Sequence, residues 1–117
     1  MTNKCLVIFR ESPYSGQRAR EGLEAVMAMA AYDQQPQLVF MAEGVWQLMA
    51  QQDEPERKNH SKMLAALSLY GVDQLFVHTP SLKARGLRAS ALLLPCEPLD
   101  DTTLAALIAQ SHKVLSF

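Results

Sequence analysis

The chain has 117 residues, 49% of them hydrophobic and 20% charged, with 11 Lys and Arg against 12 Asp and Glu and a formal net charge of -1. That balance is globular, fits a single domain over 1–117, and provides no basic surface for nucleic acid or anionic lipid. Two cysteines, Cys5 and Cys96, form neither a disulfide framework nor a metal-binding spacing, and no apolar run approaches a membrane span or signal-peptide core. The expected location is cytoplasmic.

Cys5 to Phe9 is continuously apolar and rich in strand formers, the pattern of a central parallel strand covered on both faces. Ser12-Pro13-Tyr14-Ser15-Gly16 is a turn leading into a helix, where Leu23, Val26, Met27, Ala30 and Ala31 line up as one apolar stripe. Gln35-Pro36 breaks that helix, and Leu38 to Met41 reads as a second strand. Glu43-Gly44 opens a short apolar segment, Val45 to Met49, followed by Gln51–Asn59, a polar stretch broken by Pro55 and expected to be a solvated, mobile loop. The next helix places Met63, Leu64, Leu67 and Tyr70 on its buried side and stops at Gly71. Leu75 to Val77 is a third strand ending at His78-Thr79-Pro80, then a brief helix runs from Ser81 to Arg85 and ends at Gly86. Ala91 to Leu94 reads as a fourth strand, and Asp100, Asp101 and Thr102 offer N-capping oxygens to a last helix with Leu104, Leu107 and Ile108 inward. Val114 to Phe117 closes the chain as a fifth strand. Strands alternating with helices predict an α/β fold: a mainly parallel five-stranded sheet in three α/β/α layers.

In such folds functional groups gather in the loops at the carboxyl ends of strands. The Ser12–Gly16 loop precedes a helix and has Arg18 and Arg20 nearby, yet its single glycine matches neither a P-loop nor a dinucleotide fingerprint. Cys5 sits in an apolar strand, where a thiol behaves as a small hydrophobe. Cys96 follows the expected fourth strand and should be partly accessible, but its neighbours Pro95, Glu97 and Pro98 include a carboxylate and no base, which disfavours the thiolate. His78 ends the third strand, where a general base would stand, but no nucleophile or orienting acid is visible beside it. Cys96 and His78 are therefore weak candidates, and no catalytic set emerges. His60 and His112 read as surface residues, and Glu43, Glu97, Asp100 and Asp101 show no pairing certified by spacing. Val45, Trp46, Leu48 and Met49 carry more apolar surface than so short a segment should bury alone, and read equally as core or as a subunit contact. No metal site and no cofactor site is expected.

Arg20 to Ala25, Phe40 to Leu48, Leu69 to Val72, Ser81 to Leu87 and Val114 to Phe117, taken together and in this order, resemble the DsrE/DsrF-like family (the DsrEFH/TusBCD sulfur-relay group) over essentially the whole chain. The most specific segment is Phe-x-Ala-acid-Gly-Val-aromatic-Gln-Leu at 40–48. The resemblance implies a subunit that joins TusB-like and TusD-like partners in a two-fold pair of heterotrimers. That complex takes persulfide sulfur from a TusA-like donor and passes it to a TusE-like acceptor, for 2-thiolation of wobble uridine in tRNA. It also implies that the carrier cysteine belongs to the TusD- or DsrE-like subunit, just after the third strand. The matching stretch here, Phe76 to Pro80, has no cysteine, which points to a non-catalytic partner subunit contacting its neighbours through Val45, Trp46, Leu48, Met49 and His78. Three alternatives stay open: a DsrF-like subunit of a sulfur-oxidation complex, a sulfur carrier in its own right through Cys96, or a free-standing homo-oligomer with a regulatory or ligand-binding role.

Overall fold

The computed structural model describes residues 4–13, 16–32, 34–49, 55–92 and 94–117. Five strands, β1 (Cys5–Phe9), β2 (Gln37–Phe40), β3 (Leu75–His78), β4 (Glu97–Leu99) and β5 (Lys113–Ser116), form one sheet in the order β4-β3-β2-β1-β5 with every pairing parallel. The helices are α1 (Arg18–Ala31), α2 (Pro55–Ala65), α3 (Thr79–Ala84) and α4 (Asp101–Gln110). Short 3-10 segments at Ala42–Leu48, Leu67–Tyr70 and Ala89–Ala91 fill the connections. The α/β class and parallel five-stranded sheet expected from the sequence are present.

The central strand β1 is apolar throughout because both its faces are covered. Val7 and Phe9 point into the larger core with Leu23 and Val26 of α1, Leu64 of α2 and Leu82 of α3. Leu6 and Ile8 point the other way, toward Val39, Leu99 and Leu104 of α4. Three helices thus lie on one face and one on the other. Phe9 stacks on Phe40 with ring centroids 5.1 Å apart, and Phe117 closes on the same ring at 6.4 Å. Gly22 is where α1 meets this cluster: a Cβ there would stand 2.6 Å from Phe9 Cε1.

The fold departs from the sequence reading in four places. The fourth strand is Glu97–Leu99, not Ala91–Leu94. Leu92 and Leu94 instead pack half-buried against the larger core, and Leu92 makes an isolated antiparallel bridge with Met49; Leu93 lies outside the described residues. A short apolar run does not say which surface it covers, and Pro98, which argues against a central strand, is tolerated because β4 is an edge. Within Gln51–Asn59, residues 51–54 lie outside the described residues, but α2 begins at Pro55, so this proline starts a helix instead of breaking the chain. Tyr70 is 53% exposed because α2 gives way to a 3-10 segment and the apolar period changes with it. Ile108 is also exposed, whereas Leu104 and Leu107 face the sheet.

Candidate functional site

All strands run parallel, so their carboxyl ends share one edge of the sheet, and His78 ends β3 there. Its Nε2 lies 2.7 Å from Asp101 Oδ1 at the start of α4, and its Nδ1 lies 2.6 Å from Ser81 Oγ on α3. Ser81 Oγ in turn accepts the backbone N–H of Ala42 at 2.8 Å. A carboxylate only accepts, so Nε2 carries the proton; with the imidazole neutral, the Ser81 hydroxyl donates to Nδ1. The result is a continuous chain from the Ala42 amide through Ser81 and His78 to Asp101. Ala42 has φ 50, a left-handed conformation that costs a non-glycine residue, and its amide is fixed by this chain.

The nucleophile and acid that could not be seen beside His78 in sequence are thus supplied by the fold. Ser81 lies three residues along, across the start of a helix, and Asp101 comes from a distant element. Spacing could have flagged Ser81, but nothing in sequence flags Asp101. The residue types are those of a hydrolytic triad, yet accessibility is inverted. The Asp101 side chain is 82% exposed, while Ser81 is buried and its oxygen is engaged from two sides. A nucleophile needs a free approach, whereas the buried Ser81 hydroxyl is held between His78 and the Ala42 amide and so ties backbone segments together.

Beside it, Arg85 sends Nε and Nη2 to Glu43 Oε1 at 3.1 and 2.9 Å, and Nη1 to the Ser81 carbonyl at 3.1 Å. Glu43 therefore has a partner that the sequence did not reveal. The Ala42–Leu48 segment splits by burial. Val45 and Leu48 are fully buried in this chain's own core, which removes them from a direct partner contact; Trp46 and Met49 remain half-buried. Gln47 is also fully buried: its Nε2 donates to the Glu11 carbonyl at 2.8 Å, and its Oε1 lies 2.8 Å from His60 Nε2. His60 is consequently a buried helix residue, not a surface one. Burial, with Arg20 adding like charge, lowers its pKa to about 4, so it is neutral at physiological pH. His112 is exposed, as expected.

Neither cysteine is poised for chemistry. Cys5 is half-buried with its Sγ 3.8 Å from Met29 Sδ; burial raises its pKa, partly opposed by Lys113. Cys96 precedes β4, so it lies toward the amino ends of the strands, away from the His78 edge: Glu97 is level with Phe76, and Leu99 with His78. This corrects the expectation that it follows a strand. Burial pushes its thiol up to about 11, leaving only about one part in ten thousand as thiolate near pH 7. Among the described residues no group of three His, Cys, Asp or Glu side chains could hold a metal ion. No helix among them is long and apolar enough to cross a membrane.

These features define a parallel α/β domain whose carboxyl-end loops are knitted together by buried polar side chains. The chain belongs to the DsrE/DsrF-like family, whose model matches residues 3–117. It is 36% identical over 118 residues to a protein TusC homolog of Pseudomonas aeruginosa, covering 99% of both chains. A protein TusC homolog of Vibrio vulnificus is 34% identical over 112 residues, covering 94% of this chain and 95% of its own. Among solved structures, the ychN protein of E. coli superposes with a TM-score of 0.85 over 100% of both chains at 22% identity, a likeness of fold.

Proposed function

We propose that this chain is a TusC-like, non-catalytic subunit of a TusBCD-type sulfur-relay complex that supports 2-thiolation of wobble uridine in tRNA. The observation that carries the reading is the end of β3. The stretch in which the family resemblance places a carrier cysteine, Phe76 to Pro80, has none here, and its His78 has both ring nitrogens engaged by Ser81 and Asp101. Its similarity to proteins named TusC homolog supports the same assignment. The Cys96 carrier alternative is disfavoured, because a half-buried thiol raised to about 11 is a poor nucleophile near neutral pH. In this role the chain works by shape, holding TusB-like and TusD-like subunits so that the carrier's persulfide is shielded between a TusA-like donor and a TusE-like acceptor. A net charge of -1 suits a subunit that makes no direct contact with RNA. Trp46, half-buried beside core residues Val45 and Leu48, is the anchor expected at a subunit contact.

The test is co-expression of the full chain with TusB-like and TusD-like subunits, followed by affinity capture. The reading expects a stoichiometric complex and a markedly weaker one with Trp46→Ala. Absence of any complex with the wild-type chain would overturn it.

A further inference from the structure

We infer that α4 is a strap that opens as a unit of its own, held closed by the His78–Asp101 hydrogen bond. α4 runs between β4 and β5, the two edge strands, so it crosses the whole sheet on a face where, among the described helices, it lies alone. At ten residues it is about 15 Å long, and its hold on the sheet is slight. Leu104 is its one buried residue, Leu107 is half-buried, and the remainder of the helix is exposed. Compared with α1, which buries four residues, α4 has little apolar surface keeping it in place.

Its two ends are pinned differently. At the rear, the backbone N–H groups of His112 and Lys113 both donate to the Lys4 carbonyl, at 2.7 and 3.2 Å, and β5 then pairs with β1. At the front, β4 is three residues of edge strand, and the side-chain tether is Asp101 Oδ1 on His78 Nε2. Both ends thus run into the sheet, but at the front the β3–β4 ladder is short and stops at Leu99, level with His78, and beyond it α4 is fastened by a side-chain bond whose acid is 82% exposed. Local opening draws on elements with few buried contacts, and with the front bond broken Leu104 is the principal side-chain restraint on α4 between the ends of the two edge strands. Asp100, whose carboxylate accepts the Thr103 N–H at 2.8 Å, caps the helix internally and does not fasten it to the sheet.

Native-state hydrogen exchange on the full chain distinguishes the two ends. His78→Asn and Asp101→Ala should each raise exchange of the amides over Leu104–Gln110 by about tenfold, while β1 and α1 change by less than about twofold. Asp100→Ala, which removes only the cap, should speed the first turn and leave Leu107–Gln110 unchanged. Should His78→Asn fold poorly, Asp101→Ala alone decides, since its site is on the surface. Unchanged rates over Leu107–Gln110 in the Asp101 variant, or an equal rise in every element, would overturn the proposal.

Discussion

His60 Nε2 lies 2.8 Å from Gln47 Oε1, and the other end of that amide donates to the Glu11 carbonyl. One buried side chain therefore joins α2, the Ala42–Leu48 segment and the loop after β1. His60 Nε2 donates in that bond whether the ring is neutral or charged, and it is burial, with Arg20 adding like charge, that favours the neutral imidazole in the folded chain. Its folded pKa of about 4 lies below the ordinary 6.5, so between those values the unfolded chain binds more protons. Stability from this group is complete above about pH 6.5 and is lost as pH falls toward 4, on the order of 3 kcal/mol in all. Urea midpoints measured from pH 7.5 to 4.5 should fall in wild type and fall less steeply in His60→Gln.

Gln47→Leu should be costly although it adds an apolar side chain to a core position. It strands the His60 ring N–H and the Glu11 carbonyl, so a loss of about 2–4 kcal/mol is expected in chemical denaturation at pH 7.5. A loss below about 1 kcal/mol would show that these groups find other partners.

Gly44 and Gly22 make a matched pair of steric tests. Gly44 sits against the Phe9 carbonyl, where a Cβ would meet main-chain atoms that cannot step aside. At Gly22 the atoms in the way belong to the Phe9 and Phe117 side chains, which can shift. Gly44→Ala should cost at least about 3 kcal/mol, and Gly22→Ala about half as much or less, by equilibrium unfolding.

The Glu43–Arg85 pair offers a contrast in magnitude. Glu43 is 55% exposed, so Glu43→Gln should cost no more than about 1 kcal/mol, less at high salt. Thermal melts in low and high salt check this, and a large salt-independent loss would assign the pair a structural weight its exposure does not suggest.

For the cysteines, alkylation by iodoacetamide at pH 7.5 should be slow at Cys96 in the native chain and should accelerate strongly as the pH approaches 11 or on unfolding. Incubation with a persulfide donor should leave no stable sulfur adduct on Cys96 by mass spectrometry. A stoichiometric adduct would favour the carrier alternative.

The sheet was largely legible because β1, β2 and β3 are apolar runs bounded by turn residues, and the capping role of Asp100 follows from its place before an apolar helix. Leu92 and Leu94 misled because an apolar run covering a core has the composition of a strand, whereas Glu97-Pro98-Leu99, the real strand, has almost none of it. At the site, His78 stood out by position, but its partners did not. Asp101 lies 23 residues away and meets it only through the crossing of α4. His60 read as surface, and Gln47 drew no reading of its own, because hydropathy cannot show that two polar side chains satisfy each other inside.

The turn at 40–48 has a wider consequence. Gly44 is required by a neighbouring carbonyl, Val45 and Leu48 by interior space, Gln47 by a histidine, and Ala42 presents its amide to a serine. The stretch by which the chain is most readily matched to its kin is thus written by geometric fit. A chain that keeps these contacts needs a glycine, two apolar side chains and an amide at those places for the sake of shape alone, whatever its livelihood.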